Sequence, residues 1–284
     1  MASLQSKGLR RNTIDKYYTN PETVKLCIEY IDKHIYMDDC DLIIEPSAGN
    51  GAFIEGIKSL TYNRLFYDIE PENDEITTQD FLTLDIYATG LNEFQNKIHI
   101  VGNPPFGRQS SLAIKFIKKA CEFAHSISFI LPKSFKKESL IQKFPLNFHR
   151  IYEVDLPDNS FLVNGEPHDV QCIFSIWMKR SYNRETVEQI EPLHFRFVKK
   201  TEHPDISFRR VGVNAGTIDT ECDSSDSRDT KSIQSHYFIT FTNDKSVADN
   251  MIRLSGITFD FNNTIYPKSI SKQELIRKFN PLLV

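Results

Sequence analysis

From Asp41 to Lys179, short apolar runs alternate with stretches of helical periodicity, and this alternation constrains the fold more than any other feature. Leu42-Ile43-Ile44, Leu65-Phe66-Tyr67, Ile98 to Val101, Ile127 to Leu131 and Ile151 to Val154 read as strands. None alternates apolar with polar residues, so both faces of such strands must be buried. Between them, Ala52 to Leu60 reads as a helix. So does Ser110 to Ala124, whose stripe is Ala113, Phe116, Ile117, Ala120, Cys121 and Ala124. Strands alternating with helices imply an α/β fold with a parallel sheet covered on both faces. Val170 to Met178 is longer and β-rich, and reads as a late antiparallel strand. Upstream, Asn20-Pro21-Glu22 opens a helix: Asn20 caps it, Pro21 suits its first position, and Val24, Cys27, Ile28 and Ile31 form its stripe.

The character changes on either side of this region. Residues 1–16 are polar and read as a flexible segment; 17–180 form the core; 181–284 form a smaller mixed α+β appendage. Within the appendage, Phe195 to Val213, Tyr237 to Phe241 and Ile257-Thr258-Phe259 are β-type. Residues 219–231 are rich in Asp and Ser and read as a mobile loop. Ser271-Lys272-Gln273-Glu274 is a capping box that starts a short terminal helix. The net charge of -4 gives no general nucleic-acid footprint, but it leaves room for a local basic face. Two clusters qualify, Lys7, Arg10, Arg11 and Lys16, and Lys133, Lys136 and Lys137; each reads more readily as a solvated face than as a phosphate track. The 5 cysteines (Cys27, Cys40, Cys121, Cys172, Cys222) form no Cys-x-x-Cys pair, and the 8 histidines show no ligand spacing. Structural zinc and a disulfide framework are therefore not expected, and a reducing compartment is. No run is long enough to cross a membrane, and the first residues lack a signal-peptide core. The expectation is a soluble protein of the cytoplasm or nucleus.

Two segments carry chemistry. The first strand runs into Glu45-Pro46-Ser47-Ala48-Gly49-Asn50-Gly51-Ala52-Phe53, a glycine turn where an α/β sheet meets a nucleotide-like ligand. The third glycine of a pyrophosphate-binding turn is missing, and Glu45 precedes the turn instead. An anionic strand end repels phosphate and suits a cation; S-adenosylmethionine carries an ammonium and a sulfonium. The second strand ends at Asp68-Ile69-Glu70-Pro71, where a carboxylate can accept both ribose hydroxyls. Further on, Asp80 can accept from an adenine amino group while Phe81 packs on its ring. Each acid taken singly is equally a loop-end carboxylate; it is their order that points to a cofactor.

The second segment is Asn103-Pro104-Pro105-Phe106, directly after the strand Ile98 to Val101. It supplies a rigid turn, an amide oxygen, a backbone carbonyl with no helical partner and an aromatic ring. That set suits a planar substrate bearing an exocyclic amino group.

With these residues in this order, the chain resembles the adenine-N6 DNA methyltransferases of the gamma arrangement, the TaqI-like and type I modification enzymes, over Tyr17 to about Lys179. The resemblance implies a Rossmann-like sheet with a late antiparallel strand and S-adenosylmethionine as cofactor. Tyr17-Tyr18-Thr19-Asn20-Pro21 resembles the motif that closes over the methionine part of the cofactor. Glu45, Pro46, Ala48, Gly49, Asn50, Gly51 and Phe53 fall on the glycine motif, Asp68 and Ile69 on the ribose motif, and Asp80 and Phe81 on the adenine motif. Asn103, Pro104, Pro105 and Phe106 fall on the catalytic motif. Gly107, Arg108, Lys133 and Phe161 are then substrate-side residues, with Phe161 resembling the aromatic that covers the second face of a flipped base. In such an enzyme the Asn103 oxygen and the Pro104 carbonyl accept the two amine N–H bonds, and Phe106 stacks on the base. No metal is implied.

The part beyond Lys179 is smaller than the family's target-recognition domains, which puts sequence-specific duplex recognition in doubt; DNA is the first reading of the polymer and RNA the alternative. Release-factor glutamine-N5 methyltransferases share an Asn-Pro-Pro-aromatic motif, usually ending in Tyr; Phe106 favours adenine. An inactive binding subunit of the same fold is the reading from another class. Ser207 to Gly216, with Arg209 and Arg210, reads either as a phosphate-contacting turn or as a structural hairpin.

Overall fold

The computed structural model describes residues 17–186, 188–221, 231–259 and 268–284. The expected flexible segment 1–16 with its basic cluster, most of the 219–231 loop, and Cys222 lie outside the described residues. The chain divides into two units. The first holds residues up to 135 together with 139–185; the second holds 136–138 and 186–284. The division thus falls after Glu185, five residues beyond the boundary read from composition.

The first unit contains, in chain order, β1 (Tyr18–Thr19), α1 (Pro21–His34), β2 (Leu42–Glu45), α2 (Ile54–Leu60), β3 (Asn63–Asp68), β4 (Thr77–Thr78), β5 (Ile98–Gly102), α3 (Ser111–Cys121), β6 (Ser126–Pro132), α4 (Glu138–Ile141, shared with the second unit), β7 (Phe148–Asp155), β8 (Phe161–Val163), β9 (Glu166–His168) and β10 (Cys172–Lys179). Seven strands form one sheet in the order β4-β3-β2-β5-β6-β10-β7. All run parallel except β10, which is antiparallel to both β6 and β7. This is the Rossmann-like sheet with a late antiparallel strand.

The packing explains why the central strands are apolar on both faces. Successive residues point to opposite faces of a strand. Ile44, Ile100, Phe129 and Leu131 join one core with Phe116 and Ile117 of α3. Their neighbours Ile43, Val101 and Ile130 join a second core with Cys27 and Ile31 of α1 and Ile57 of α2. The expected stripes of α1 and α3 therefore cover the two faces of one sheet. Cys27 and Cys172 are buried, and Cys121 is half-buried. Asn20 caps α1 as expected, accepting from the Glu22 amide at 3.0 Å. At the starts of the strands, buried Asp41 accepts from the Lys97 amide and meets His99 at 3.3 Å; His99 in turn meets Ser126 at 2.7 Å.

The second unit contains β11 (Phe195–Val198), β12 (Ile206–Arg209), β13 (Ile218–Asp219), β14 (His236–Phe241), α5 (Val247–Leu254) and α6 (Lys272–Phe279). Its sheet, β11-β14-β12-β13, is antiparallel. Its core joins Ile206, Phe208 and Ile239 to Leu254 of α5 and to Leu275, Ile276 and Phe279 of α6. The Ser271–Glu274 capping box is formed. Ile257 to Phe259, expected as a strand, is irregular chain after α5. Gly256 turns the backbone out of the helix at φ +79°, and Phe259 then packs on Phe208 at 5.3 Å instead of pairing. Residues 207–216 contain β12 and the start of a turn held by Gly216 N–H to Arg209 O at 2.7 Å, which matches the hairpin alternative.

Candidate functional site

The sheet topology creates a crevice. The chain passes from β2 to β3 on one side and later returns to β5 on the other. At such a reversal the connections diverge and leave a crevice beyond the carboxyl ends of the strands. Glu45 ends β2 and Asn103 follows β5, so the two motifs flank this crevice. A cavity of about 760 Å³ lies there, within the first unit and large enough for a nucleotide-sized ligand.

On one wall is the glycine turn. Gly49 and Gly51 have φ of +54° and +87°, conformations that cost a side-chain-bearing residue energy. A Cβ on Gly51 would also stand 2.6 Å from Ile54 Cδ1, so this residue packs the turn against α2 and does not line the cavity. The turn is tied to β3: the Gly49 amide donates to Asp68 Oδ2 at 2.8 Å, and the Glu70 amide donates to Asp68 Oδ1 at 2.8 Å. Glu45 is 2% exposed, and its Oε2 has no hydrogen-bond partner. Burial, with the negative charge of Asp68 nearby, raises its carboxyl to about 8. An uncompensated buried carboxyl at the edge of a cavity is poised for a cation.

Asp80 and Phe81 reach the cavity from the segment after β4. The Asp80 side chain caps a short 3₁₀ turn, accepting from the Leu82 amide at 2.9 Å. Phe81 is 1% exposed and stacks on Phe116 at 5.6 Å, forming a fixed apolar wall.

The opposite wall is Asn103 to Gly107. The Asn103 amide group donates through Nδ2 to Thr19 Oγ1 at 3.3 Å and to the Tyr17 carbonyl at 3.5 Å. Its Oδ1 is buried without a partner. Its backbone carbonyl accepts from Ser47 Oγ at 3.2 Å, joining the two motifs directly. The Phe106 carbonyl accepts the Leu112 and Ala113 amides at 3.1 and 3.3 Å, which anchors the aromatic to the start of α3. Gly107 makes that reversal possible with φ +67°; a Cβ there would stand 2.8 Å from Leu112 Cγ.

The cavity is lined by Tyr18, Thr19, Glu45, Pro46, Ala48, Gly49, Asn50, Phe53, Asp68, Ile69, Asp80, Phe81 and the Asn103–Gly107 turn, all read from the sequence. Three expected substrate-side residues are elsewhere. Phe161 is fully buried, pairs through β8 with Thr19 of β1, and meets Tyr17 edge-on at 6.4 Å. A ring so enclosed cannot cover a base; it anchors the strap that carries Tyr17 to Thr19. Lys133 faces Asp155 at 3.5 Å, and Arg108 is exposed; neither lines the cavity. Sequence reasoning did not single out Ser47, Leu112 or Phe116 as site residues, although they line it. Ser47 stood inside the quoted glycine motif, Phe116 read only as part of the helix stripe, and Leu112 lay in the same helix outside that stripe. Among the described residues, no group of three or more His, Cys, Asp or Glu could hold a metal, and no helix is long and apolar enough to cross a membrane.

Strand order and the single antiparallel strand define the S-adenosylmethionine-dependent methyltransferase fold. No protein-family model matches the chain. The curated protein ENHANCED DOWNY MILDEW 2 of Arabidopsis thaliana is 30% identical over 135 residues, 44% of this chain and 10% of that protein. The chain therefore spans about a tenth of the length of the curated relative it matches. Among solved structures, a SAM-dependent methyltransferase from Anabaena variabilis is similar with a TM-score of 0.43 at 10% identity, over 60% of this chain and 89% of that one. The 23S rRNA methyltransferase ErmE gives 0.42 at 14% identity, over 59% and 71%. TrmN from Thermus thermophilus gives 0.38 at 14% identity, over 56% and 49%.

Proposed function

We propose that the chain is an S-adenosylmethionine-dependent methyltransferase acting on the N6 amine of adenine in nucleic acid, with DNA as the polymer. The observation that carries this reading is the Asn103 amide: the residue lines the cavity, its nitrogen is held by the protein, and its buried oxygen has no partner. A buried acceptor left open in this way costs the fold stability unless a ligand donor satisfies it.

The residues present fit the cofactor. Glu45 is an uncompensated buried carboxyl suited to the cofactor's ammonium, Asp68 to its ribose hydroxyls, and Asp80 with the Phe81 wall to its adenine. When bound, S-adenosylmethionine supplies a methyl group made electrophilic by its sulfonium. The chain's own part is to prepare the nucleophile. The lone pair of an exocyclic amine is delocalised into its ring, which makes it a poor nucleophile. Accepting its N–H bonds at Asn103 Oδ1 and the Pro104 carbonyl favours a tetrahedral nitrogen and frees that pair. The two prolines fix the turn, and the tie from Ser47 to the Asn103 carbonyl holds it, so these acceptors need no reorganisation during the reaction. Phe106, anchored by α3, offers a face for the base; such stacking is worth roughly 1–3 kcal/mol.

The test is methyl transfer from labelled cofactor to duplex DNA, single-stranded DNA, RNA and protein, with products identified by mass spectrometry. N6-methyladenine in DNA is the expected product. N6-methyladenine in RNA alone would replace the polymer, methylglutamine would replace the acceptor, and no product with any acceptor would reject the reading.

A further inference from the structure

A carboxamide is nearly symmetric in shape, and a half-turn about its last bond exchanges its oxygen for its nitrogen. The chemistry it offers a ligand reverses with that turn. With the oxygen presented, the site accepts from an amine; with the nitrogen presented, it donates to a carbonyl. Nothing within Asn103-Pro104-Pro105-Phe106 decides between the two.

The decision comes from β1. The Tyr17 carbonyl can only accept, and it lies 3.5 Å from Asn103 Nδ2. Thr19 Oγ1 lies 3.3 Å from the same nitrogen. Both amide protons therefore have acceptors in the protein. The reversed amide would set Oδ1 against the Tyr17 carbonyl oxygen, two acceptors facing each other in a half-buried place. Thr19 is 4% exposed and is held where it stands by β1 pairing with β8, opposite Phe161. The adjoining Asn20 amide donates to the Ser160 carbonyl at 2.9 Å.

We infer that Thr19 is a positioning residue that fixes the Asn103 amide with its oxygen toward the substrate, so that the site takes a ring amine and rejects a ring carbonyl at the same position. The inference rests on the adenine reading above and adds to it a specificity element 84 residues away from the tetrapeptide. Thr19 acts through Asn103 and not on the reacting atoms. Its buried hydroxyl does its work by accepting, since the groups it meets on Asn103 are donors.

Two substitutions separate this role from packing. Thr19→Val keeps the β-branch and the volume but removes the acceptor; Thr19→Ser keeps the acceptor. At saturating cofactor and substrate, T19V should lower kcat roughly tenfold, the size expected for one lost positioning hydrogen bond. T19S should stay near wild type. A second readout is competition. An oligonucleotide with hypoxanthine, which carries a ring carbonyl where adenine carries its amine, should compete poorly against its adenine counterpart for wild-type protein. In T19V, whose amide keeps only the longer bond to the Tyr17 carbonyl, that preference should narrow; in T19S it should not. A T19V variant with wild-type kcat and an unchanged preference overturns the inference, as does a T19S variant that fails in the same way as T19V. The adenine reading fails separately, when wild-type protein transfers no methyl group to adenine at all.

Discussion

Glu45→Gln tests the site's electrostatics without testing catalysis. The carboxyl is buried at the end of β2, Oε2 has no partner, and burial raises it from an ordinary 4.5 to about 8. A folded-state value above the unfolded one means that the folded chain keeps a proton which the unfolded chain has released. Stability from this group is therefore complete below about 4.5 and drains away as pH rises toward 8, where it levels off. At roughly 1.4 kcal/mol per pH unit, the whole drain has a ceiling of about 5 kcal/mol, and about 3 kcal/mol of it falls between pH 5 and pH 8. Glutamine has nearly the same shape and no charge, so it removes the drain. Urea unfolding of both proteins at pH 5, 7 and 8 isolates the effect, because every other titrating group cancels in the difference. E45Q should gain on wild type steadily as pH rises, by up to about 3 kcal/mol over that range. The same variant should bind S-adenosylmethionine more weakly by calorimetry, since it cannot ionise to meet the ammonium. A stability difference that stays flat with pH would refute the buried, uncompensated carboxyl. Unchanged cofactor affinity would refute its role toward the cation.

Asn103→Ala should retain cofactor binding by calorimetry and lose nearly all methyl transfer; full activity in that variant would remove the proposed mechanism. Asp68→Ala cuts both the ties of the glycine turn and the expected ribose contact, so cofactor affinity should fall by tenfold or more in the same titration. Arg184→Ala should destabilise the first unit by about 2–3 kcal/mol in denaturant unfolding, because charged hydrogen bonds are worth more than neutral ones. Its guanidinium donates to the carbonyls of Ile141, Phe144, Pro145 and Phe148 at 2.5–3.1 Å and lies 5.6 Å from the Trp177 ring.

Features with a local cause were legible in the sequence, and features with a distant one were not. β2, β5 and β6 could be read because a strand buried on both faces is apolar at most positions, and Asn20-Pro21 announces its own helix. α5 was overlooked although Ser246 caps it through the Asp249 amide, since its eight residues make barely two turns of stripe. Ile257 to Phe259 misled for the opposite reason: three apolar residues fit a strand but say nothing about a pairing partner. Phe161 is the most instructive case. A phenylalanine ahead of the late strand has one identity and two possible surroundings, and only the pairing of β8 with β1 decides that its ring is enclosed. The same pairing carries Thr19 to Asn103. The residues that perform the proposed chemistry could thus be named from a four-residue motif, but the direction in which their key amide faces is a property of a contact across the fold. A chain could keep Asn103-Pro104-Pro105-Phe106 intact, lose the strap that Phe161 anchors, and present a donor where an acceptor is required. Motif retention is therefore weaker grounds for activity than motif and strap together, and T19V is the variant that tells the two apart.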